Sequence, residues 1–191
     1  HYDAVRARHL QVDTRRWRGV HEGLKRGIEG MDTRPTISII VPAYNEEDSI
    51  ADTIKHVMRL DYPKNKLDVI VINDGSTDNS LEELKKLKSE KIIDLNRNYG
   101  QATALDAGFK ASKGEIIISM DSDLQNDAND IPKLLKKLKD ENLDVVAGWR
   151  KKRKDKTGIK ILTKTGKLLR SLLIKDVVHD TGCTLRVYKR E

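Results

Sequence analysis

From Thr36 onward, unbroken apolar runs alternate with stretches whose apolar residues recur every three or four positions. Residues 36–41 form a β-branched and apolar run closed by Pro42 and a polar turn, the pattern of a strand buried on both faces. Ile50, Ile54, Val57 and Met58 then share one helical face. Residues 67–72 predict a second buried strand, and the Asn73-Asp74-Gly75-Ser76-Thr77-Asp78 loop after it is dense in turn residues. Ser80 with Glu83 reads as a capping box for a helix carrying Leu81, Leu84 and Leu87 on its apolar side. A short strand at 92–95, an alanine-rich helix at 101–112 and a strand at 116–120 running into Asp121 follow. Asp130 is placed to cap a helix with Pro132 in its first turn and Ile131, Leu134, Leu135 and Leu138 on one face. Residues 143–147 predict a fifth strand, and Ile161, Leu162, Leu168, Leu169, Leu172 and Leu173 outline another helix. Alternation over 184–188 predicts a last strand.

Repeated strand and helix units with short connections predict an α/β domain over residues 35–191, its sheet mostly parallel with helices on both faces. In such sheets ligands bind outside the carboxyl ends of the strands. The unusual residues cluster there: 44–46 after the first strand, Asp74 after the second, 121–125 after the fourth and 149–153 after the fifth. Residues 1–34 differ, drawing their positive charge from arginines such as Arg6, Arg15, Arg16, Arg18 and Arg26. They read as a basic arm in which Trp17, Val20, Leu24 and Ile28 fall at near-helical spacing, packed on the domain or lying on something anionic.

Composition narrows the partners. Of the 191 residues, 37 are Lys or Arg and 30 are Asp or Glu, giving a net charge of +7 that favours an anionic partner: a nucleotide, a phospholipid surface, a phosphorylated acceptor or a nucleic acid. Aromatics are only 4% of the chain, which argues against recognition of nucleic acid by stacking. The single cysteine, Cys183, excludes an intrachain disulfide. No stretch approaches the roughly 20 apolar residues that cross a bilayer. The chain stops at Glu191 directly after a strand-like run, and continuation into a C-terminal membrane region is expected.

Asp121-Ser122-Asp123-Leu124-Gln125 delivers two carboxylates and an amide from the end of a buried strand. Like charges held side by side call for a cation, and oxygen ligands suit Mg²⁺ or Mn²⁺ with water and substrate phosphates completing the shell. The glycine-rich signatures of dinucleotide enzymes and of phosphate-loop NTPases are absent from the sequence, leaving a metal with phosphates but no phosphate loop. A sugar nucleotide held through its diphosphate fits that description. In the Arg150-Lys151-Lys152-Arg153-Lys154-Asp155-Lys156 run, Arg150 is placed to clamp a diphosphate with its planar fork, and the lysines suit anionic head groups or simple solvation.

Four ordered motifs carry a resemblance: Val41-Pro42-Ala43-Tyr44-Asn45-Glu46-Glu47, Asn73-Asp74-Gly75-Ser76-Thr77-Asp78, Asn98-Tyr99-Gly100 with Ala104-Leu105 and Gly108, and Asp121-Ser122-Asp123-Leu124-Gln125. Together they resemble the motifs of family 2 glycosyltransferases of the GT-A fold. With Asp144-Val-Val-Ala-Gly-Trp-Arg150 and Asp180-Thr-Gly-Cys-Thr-Leu-Arg186 the chain is most similar to the polyprenyl-phosphate branch, which includes dolichyl-phosphate mannose and glucose synthases. The resemblance implies inverting transfer of a hexose from a UDP- or GDP-sugar to a polyprenyl phosphate, at the cytoplasmic face of a membrane with an anionic surface.

Residue by residue, the resemblance puts the nucleoside against Pro42, Tyr44, Glu46 and Asp74, and the metal on Asp121, Asp123 and Gln125. Asp180 is expected near the acceptor. A phosphate acceptor is already anionic near neutral pH, so Asp180 would then orient groups, with Arg186 and Lys189 as cations. Where the branch often has an arginine before Thr163, this chain offers Lys160 and Lys164. Two other readings stay open: a saccharide hydroxyl as acceptor, which makes Asp180 a general base, and a basic nucleic-acid-binding module.

Overall fold

The computed structural model describes residues 3–5, 33–87, 91–149 and 183–190. Among these residues seven strands form one sheet: β1 (Asp3–Val5), β2 (Ile37–Ala43), β3 (Leu67–Asn73), β4 (Lys91–Asp94), β5 (Ile116–Ser119), β6 (Val145–Ala147) and β7 (Arg186–Lys189). Their order is β1-β6-β7-β5-β2-β3-β4. β2 pairs parallel with both β3 and β5, and β3 with β4. β7 runs antiparallel between β5 and β6, and β1 antiparallel on the outer edge of β6. The helices are α1 (Ile50–Met58), α2 (Ser80–Lys86), α3 (Gln101–Ala111) and α4 (Ile131–Asp140).

Every residue of β2 is buried, as its unbroken apolar run predicts for a strand covered on both faces. Period-two alternation divides its side chains. Ile37, Ile39 and Val41 join Ile50, Ile54 and Val57 of α1, Leu84 of α2 and Ile131, Leu134 and Leu138 of α4 in one core cluster. Ile40, with Ile70 and Ile72 of β3, faces Ala104, Leu105 and Phe109 of α3 in the other. The chain leaves β2 toward β3 and β4 and then returns to place β5 on its other side, so β2 and β5 flank the point where strand order reverses. Pro42 helps open that point. Met120 donates its N–H to Ile40 O, which fixes the side of β2 facing β5; two residues on, Pro42 faces the same way and has no N–H to offer. Pairing of β2 with β5 accordingly ends at Ile40 and Ser119, and the two chains part into loops.

Several expectations change. The capping box does not form: α2 begins at Ser80 itself, with Asn79 as a cap whose side chain makes no cap bond. Asp130 precedes α4 without capping it, and Asp127 caps the short 3₁₀ turn Ala128–Asp130 by accepting from Asn129 N–H. Residues 3–5 of the arm are a sheet strand; the predicted helices around Trp17 to Ile28 and Ile161 to Leu173 lie outside the described residues.

α3 lies close enough to the sheet that a Cβ on Gly108 would stand 2.4 Å from Ile40 Cγ2 and 2.9 Å from Ile72 Cδ1. Gly108→Ala is therefore expected to destabilise by about 1–3 kcal/mol through overpacking, read as a lower urea midpoint at unchanged slope. An unchanged or raised midpoint would show that α3 is not held this tightly.

Candidate active site

The loops after β2 and β3 are knitted together by side chains. Asn45 N–H donates to Ser76 Oγ at 3.0 Å, Glu46 N–H to Ser80 Oγ at 2.7 Å and Glu47 N–H to Asp78 Oδ2 at 3.2 Å. In return Thr77 N–H donates to Asn45 Oδ1 at 2.8 Å and Asn79 N–H to Glu47 Oε2 at 2.9 Å. Asn45 has φ of 55°, a left-handed conformation that asparagine tolerates better than most residues. Ser80, read from sequence as a helix cap, instead serves this junction: its hydroxyl accepts from Glu46 and donates to Asp78 Oδ1. Partial burial pushes the Asp78 carboxyl up, but the Ser80 hydroxyl and the Ser80 and Glu47 amides together hold it below its ordinary value.

Asp74 is buried and bridges to a third loop. Its Oδ1 accepts from Tyr99 N–H at 2.8 Å and its Oδ2 from Gly100 N–H at 2.9 Å. Gly100 has φ of 90°, and Gly75 has φ of 63° with its α-carbon so near Arg97 that a Cβ would fall 2.1 Å from the Arg97 carbonyl carbon. These two glycines meet positive φ, and Gly75 also meets a close approach. Arg97 lies over the Tyr99 ring, 4.7 Å from its centroid. Tyr44, after β2, is 45% exposed, leaving the ring open to a ligand.

Asp121 follows β5. Gln101 Nε2, at the start of α3, donates to its Oδ1 at 2.9 Å, and Thr184 Oγ1, just before β7, donates to its Oδ2 at 2.5 Å. Neither donor was picked out from the sequence. They stand 20 and 63 residues away from Asp121, and only the fold joins them; the position of Gln101 directly after Asn98-Tyr99-Gly100 was the available signal. Asp123 makes one hydrogen bond among the described residues, accepting from Gln125 N–H at 3.0 Å on Oδ1. Between them Leu124 has φ of 59° and is exposed, a strained conformation for a bulky residue.

Pro42, Tyr44, Glu46, Asp74, Asp121 and Asp123 line one cavity of about 320 Å³, with Asn98 and Gln101. Six of the predicted site residues, from strands far apart in sequence, thus share a crevice at the carboxyl ends of β2, β3 and β5. Gln125, two residues beyond Asp123, is exposed and does not line it. No three His, Cys, Asp or Glu side chains converge among the described residues. The carboxylate pair nevertheless fits a divalent cation: Asp121 is held in place by Gln101 on one oxygen and Thr184 on the other, a carboxylate oxygen can take more than one contact, and Asp123 Oδ2 receives no hydrogen bond from the described residues. Such a cation takes few protein ligands and completes its shell with water and phosphate.

Arg186 starts β7 opposite Ser119 and Ala147, at the same end of the sheet, with its Nε donating to Cys183 O. Lys189 is a correction. Because β7 runs antiparallel, Lys189 pairs with Ile116 at the opposite end of the sheet, where it lines a larger, mostly apolar cavity of about 890 Å³ with Ile37, Leu135 and Leu143. That cavity is bigger but lacks the paired carboxylates, so size does not select it as the chemical site. Arg150, Lys160, Thr163, Lys164 and Asp180 lie outside the described residues.

The family model described as "Glycosyl transferase family 2" matches residues 38–191. The chain belongs to glycosyl transferase family 2. The chain is 36% identical over 161 residues to the dodecaprenyl-phosphate galacturonate synthase of Rhizobium johnstonii, covering 80% of this chain and 47% of the relative. It is 38% identical over 160 residues to the undecaprenyl-phosphate 4-deoxy-4-formamido-L-arabinose transferase of Salmonella choleraesuis, covering 81% of this chain and 49% of the relative. The chain thus spans about half the length of these curated relatives. Among solved structures, it matches a Pyrobaculum calidifontis mannosyltransferase in complex with GDP-Man and Mn²⁺ at a TM-score of 0.55 and 26% identity, covering 68% of this chain and 40% of that one. It also matches the Mycobacterium tuberculosis glucosyl-3-phosphoglycerate synthase with UDP at a TM-score of 0.66 and 21% identity, over 98% of this chain and 64% of that one, a likeness of fold. The α/β GT-A fold implied by the motifs is the fold observed.

Asp74→Asn would turn an amide N–H₂ toward one of the two backbone donors it now satisfies. The substitution is expected to cost about 1–3 kcal/mol and to speed hydrogen exchange at Tyr99 and Gly100. Unchanged exchange there would separate Asp74 from the third loop. Asp78, whose folded pKa lies below its unfolded value, stabilises the loop junction fully above about pH 4 and loses that contribution as pH falls through its own lower value. The acid limb of the melting curve should be shallower in Asp78→Asn than in the parent; equal limbs would remove Asp78 from the account.

Proposed function

We propose that this glycosyltransferase moves a sugar from a nucleoside-diphosphate sugar to a polyprenyl phosphate at the cytoplasmic face of a membrane, with Mg²⁺ or Mn²⁺ bound. The observation that carries the reading is the shared cavity of Tyr44, Asp74, Asp121 and Asp123 in a chain 36–38% identical to two prenyl-phosphate sugar transferases. Tyr44 offers a ring face to the base, and Asp74 keeps acceptor capacity for a ring N–H on a carboxylate already fixed by the Asn98–Gly100 loop. Asp121 and Asp123 would hold the cation, with Gln125 recruited from its exposed position. When bound, the cation neutralises charge developing on the departing diphosphate.

Arg150 is assigned to the same diphosphate, and Arg186, at the same end of the sheet as the site, to the acceptor phosphate with Lys160, Thr163 and Lys164. Asp180 orients acceptor and sugar. The phosphate acceptor brings its own negative charge, so no strong base is required. A hexose of the mannose or glucose class from UDP or GDP is the starting donor hypothesis; the two relatives' names, a galacturonate and a formamido-arabinose, make charged or modified sugars the first extension. No described helix is long and apolar enough to cross a membrane.

The test is turnover of nucleotide sugars with undecaprenyl phosphate in detergent, with and without Mn²⁺. Asp123→Ala is expected to lower turnover by about a hundred- to a thousandfold, the scale of losing a main electrostatic contact to the leaving group. Near-normal metal-dependent turnover in Asp123→Ala would overturn the metal assignment. Efficient transfer to a sugar hydroxyl, lost in Asp180→Asn, would favour a saccharide acceptor instead.

A further inference from the structure

The hydrogen bonds around Asp121 form a directed chain. Asn126 Nδ2 donates to Thr184 Oγ1 at 3.1 Å, and an amide N–H₂ has only protons to give. Thr184 Oγ1 therefore accepts on that side, and its single proton goes to Asp121 Oδ2 at 2.5 Å. The backbone of Thr184 is fixed as well, its carbonyl accepting from Ser119 Oγ at 2.7 Å. Ser119 ends β5 two residues before Asp121, so Thr184 is pinned to the strand that delivers the carboxylate. On the other oxygen, Gln101 Nε2 donates from α3. The Asp121 carboxylate is thus held between a donor from α3 on one side and one from the segment leading into β7 on the other.

We propose that Thr184 is a positioning residue: from the segment that leads into β7, it sets the orientation in which Asp121 meets a divalent cation. The proposal rests on reading Asp121 as a metal ligand. Thr184 lies two residues before Arg186 and four after Asp180, so the segment assigned to the acceptor is tied to the metal carboxylate by one hydroxyl. Partners that orient a ligating carboxylate commonly matter about 10–100-fold in metal affinity.

The experiment measures Mn²⁺ affinity of the full chain by electron paramagnetic resonance of the free ion, with UDP or GDP present, for the parent, Thr184→Val and Thr184→Ser. Thr184→Val keeps the shape but removes the donor and is expected to weaken Mn²⁺ about 10–100-fold, while Thr184→Ser stays within about threefold of the parent. A structural role alone would shift the melting temperature without metal and leave Mn²⁺ affinity intact. If Thr184→Val does not fold, Asn126→Ala, which frees the hydroxyl to turn away, is expected to weaken Mn²⁺ by about threefold or more. Parental Mn²⁺ affinity in Thr184→Val, or in Asn126→Ala where that variant stands in, overturns the proposal and leaves the reading of the site intact. Equal loss in the valine and serine variants overturns it also. Failure of the parent to bind Mn²⁺ with either nucleotide removes the metal reading and the proposal together.

Discussion

The structure depends on β2 being buried along its whole length between two parallel neighbours and two layers of helix. A strand in that position has no solvated face on which to carry polar side chains, so its chemistry is displaced to its end. Pro42 then withholds the N–H that would continue pairing with β5, and the chains leaving β2 and β5 separate at the point where strand order reverses. The crevice that results is a consequence of core packing as much as of the loops that line it.

The loops are made precise by side chains bonding to backbone, which is how irregular segments satisfy their polar groups when no ladder is available. Asp74 satisfies two N–H groups of the Tyr99 loop, Asp78 and Ser80 join the loops after β2 and β3, and Gln101 and Thr184 grip Asp121. Two kinds of acidic residue therefore share the site. Asp74 and Asp78 spend their oxygens largely on the protein; Asp123 keeps one oxygen clear of the described residues, and that difference in commitment makes Asp123 the carboxylate with most to offer a cation.

The parallel strands were legible because burial on both faces leaves unbroken apolar runs at 36–41 and 67–72, and the loops at their ends were legible because turn and acidic residues crowd there. Direction was not: nothing in the alternation of Thr184 to Tyr188 distinguishes an antiparallel strand, and so Lys189 was expected with the acceptor when it lies at the far end of the sheet. Ser80 was misread for a related reason. Its local pattern fits a cap, but the tertiary partners Glu46 and Asp78 claim its hydroxyl. β1 had no signal in three residues, Asp3 to Val5, whose partner strand β6 is more than a hundred residues on. Gln101 and Thr184 escaped for want of any local rule linking them to Asp121.

The central claim is that one crevice holds base, diphosphate and cation in a line from Asp74 and Tyr44 to Asp121 and Asp123. A crystal structure of the protein grown with Mn²⁺ and UDP or GDP measures this directly through the anomalous signal of the ion. The account expects the manganese peak against the Asp121 and Asp123 carboxylates with the base beside Tyr44 and Asp74. A nucleotide bound elsewhere, or a manganese peak held by other side chains while this carboxylate pair stays hydrated, would contradict it.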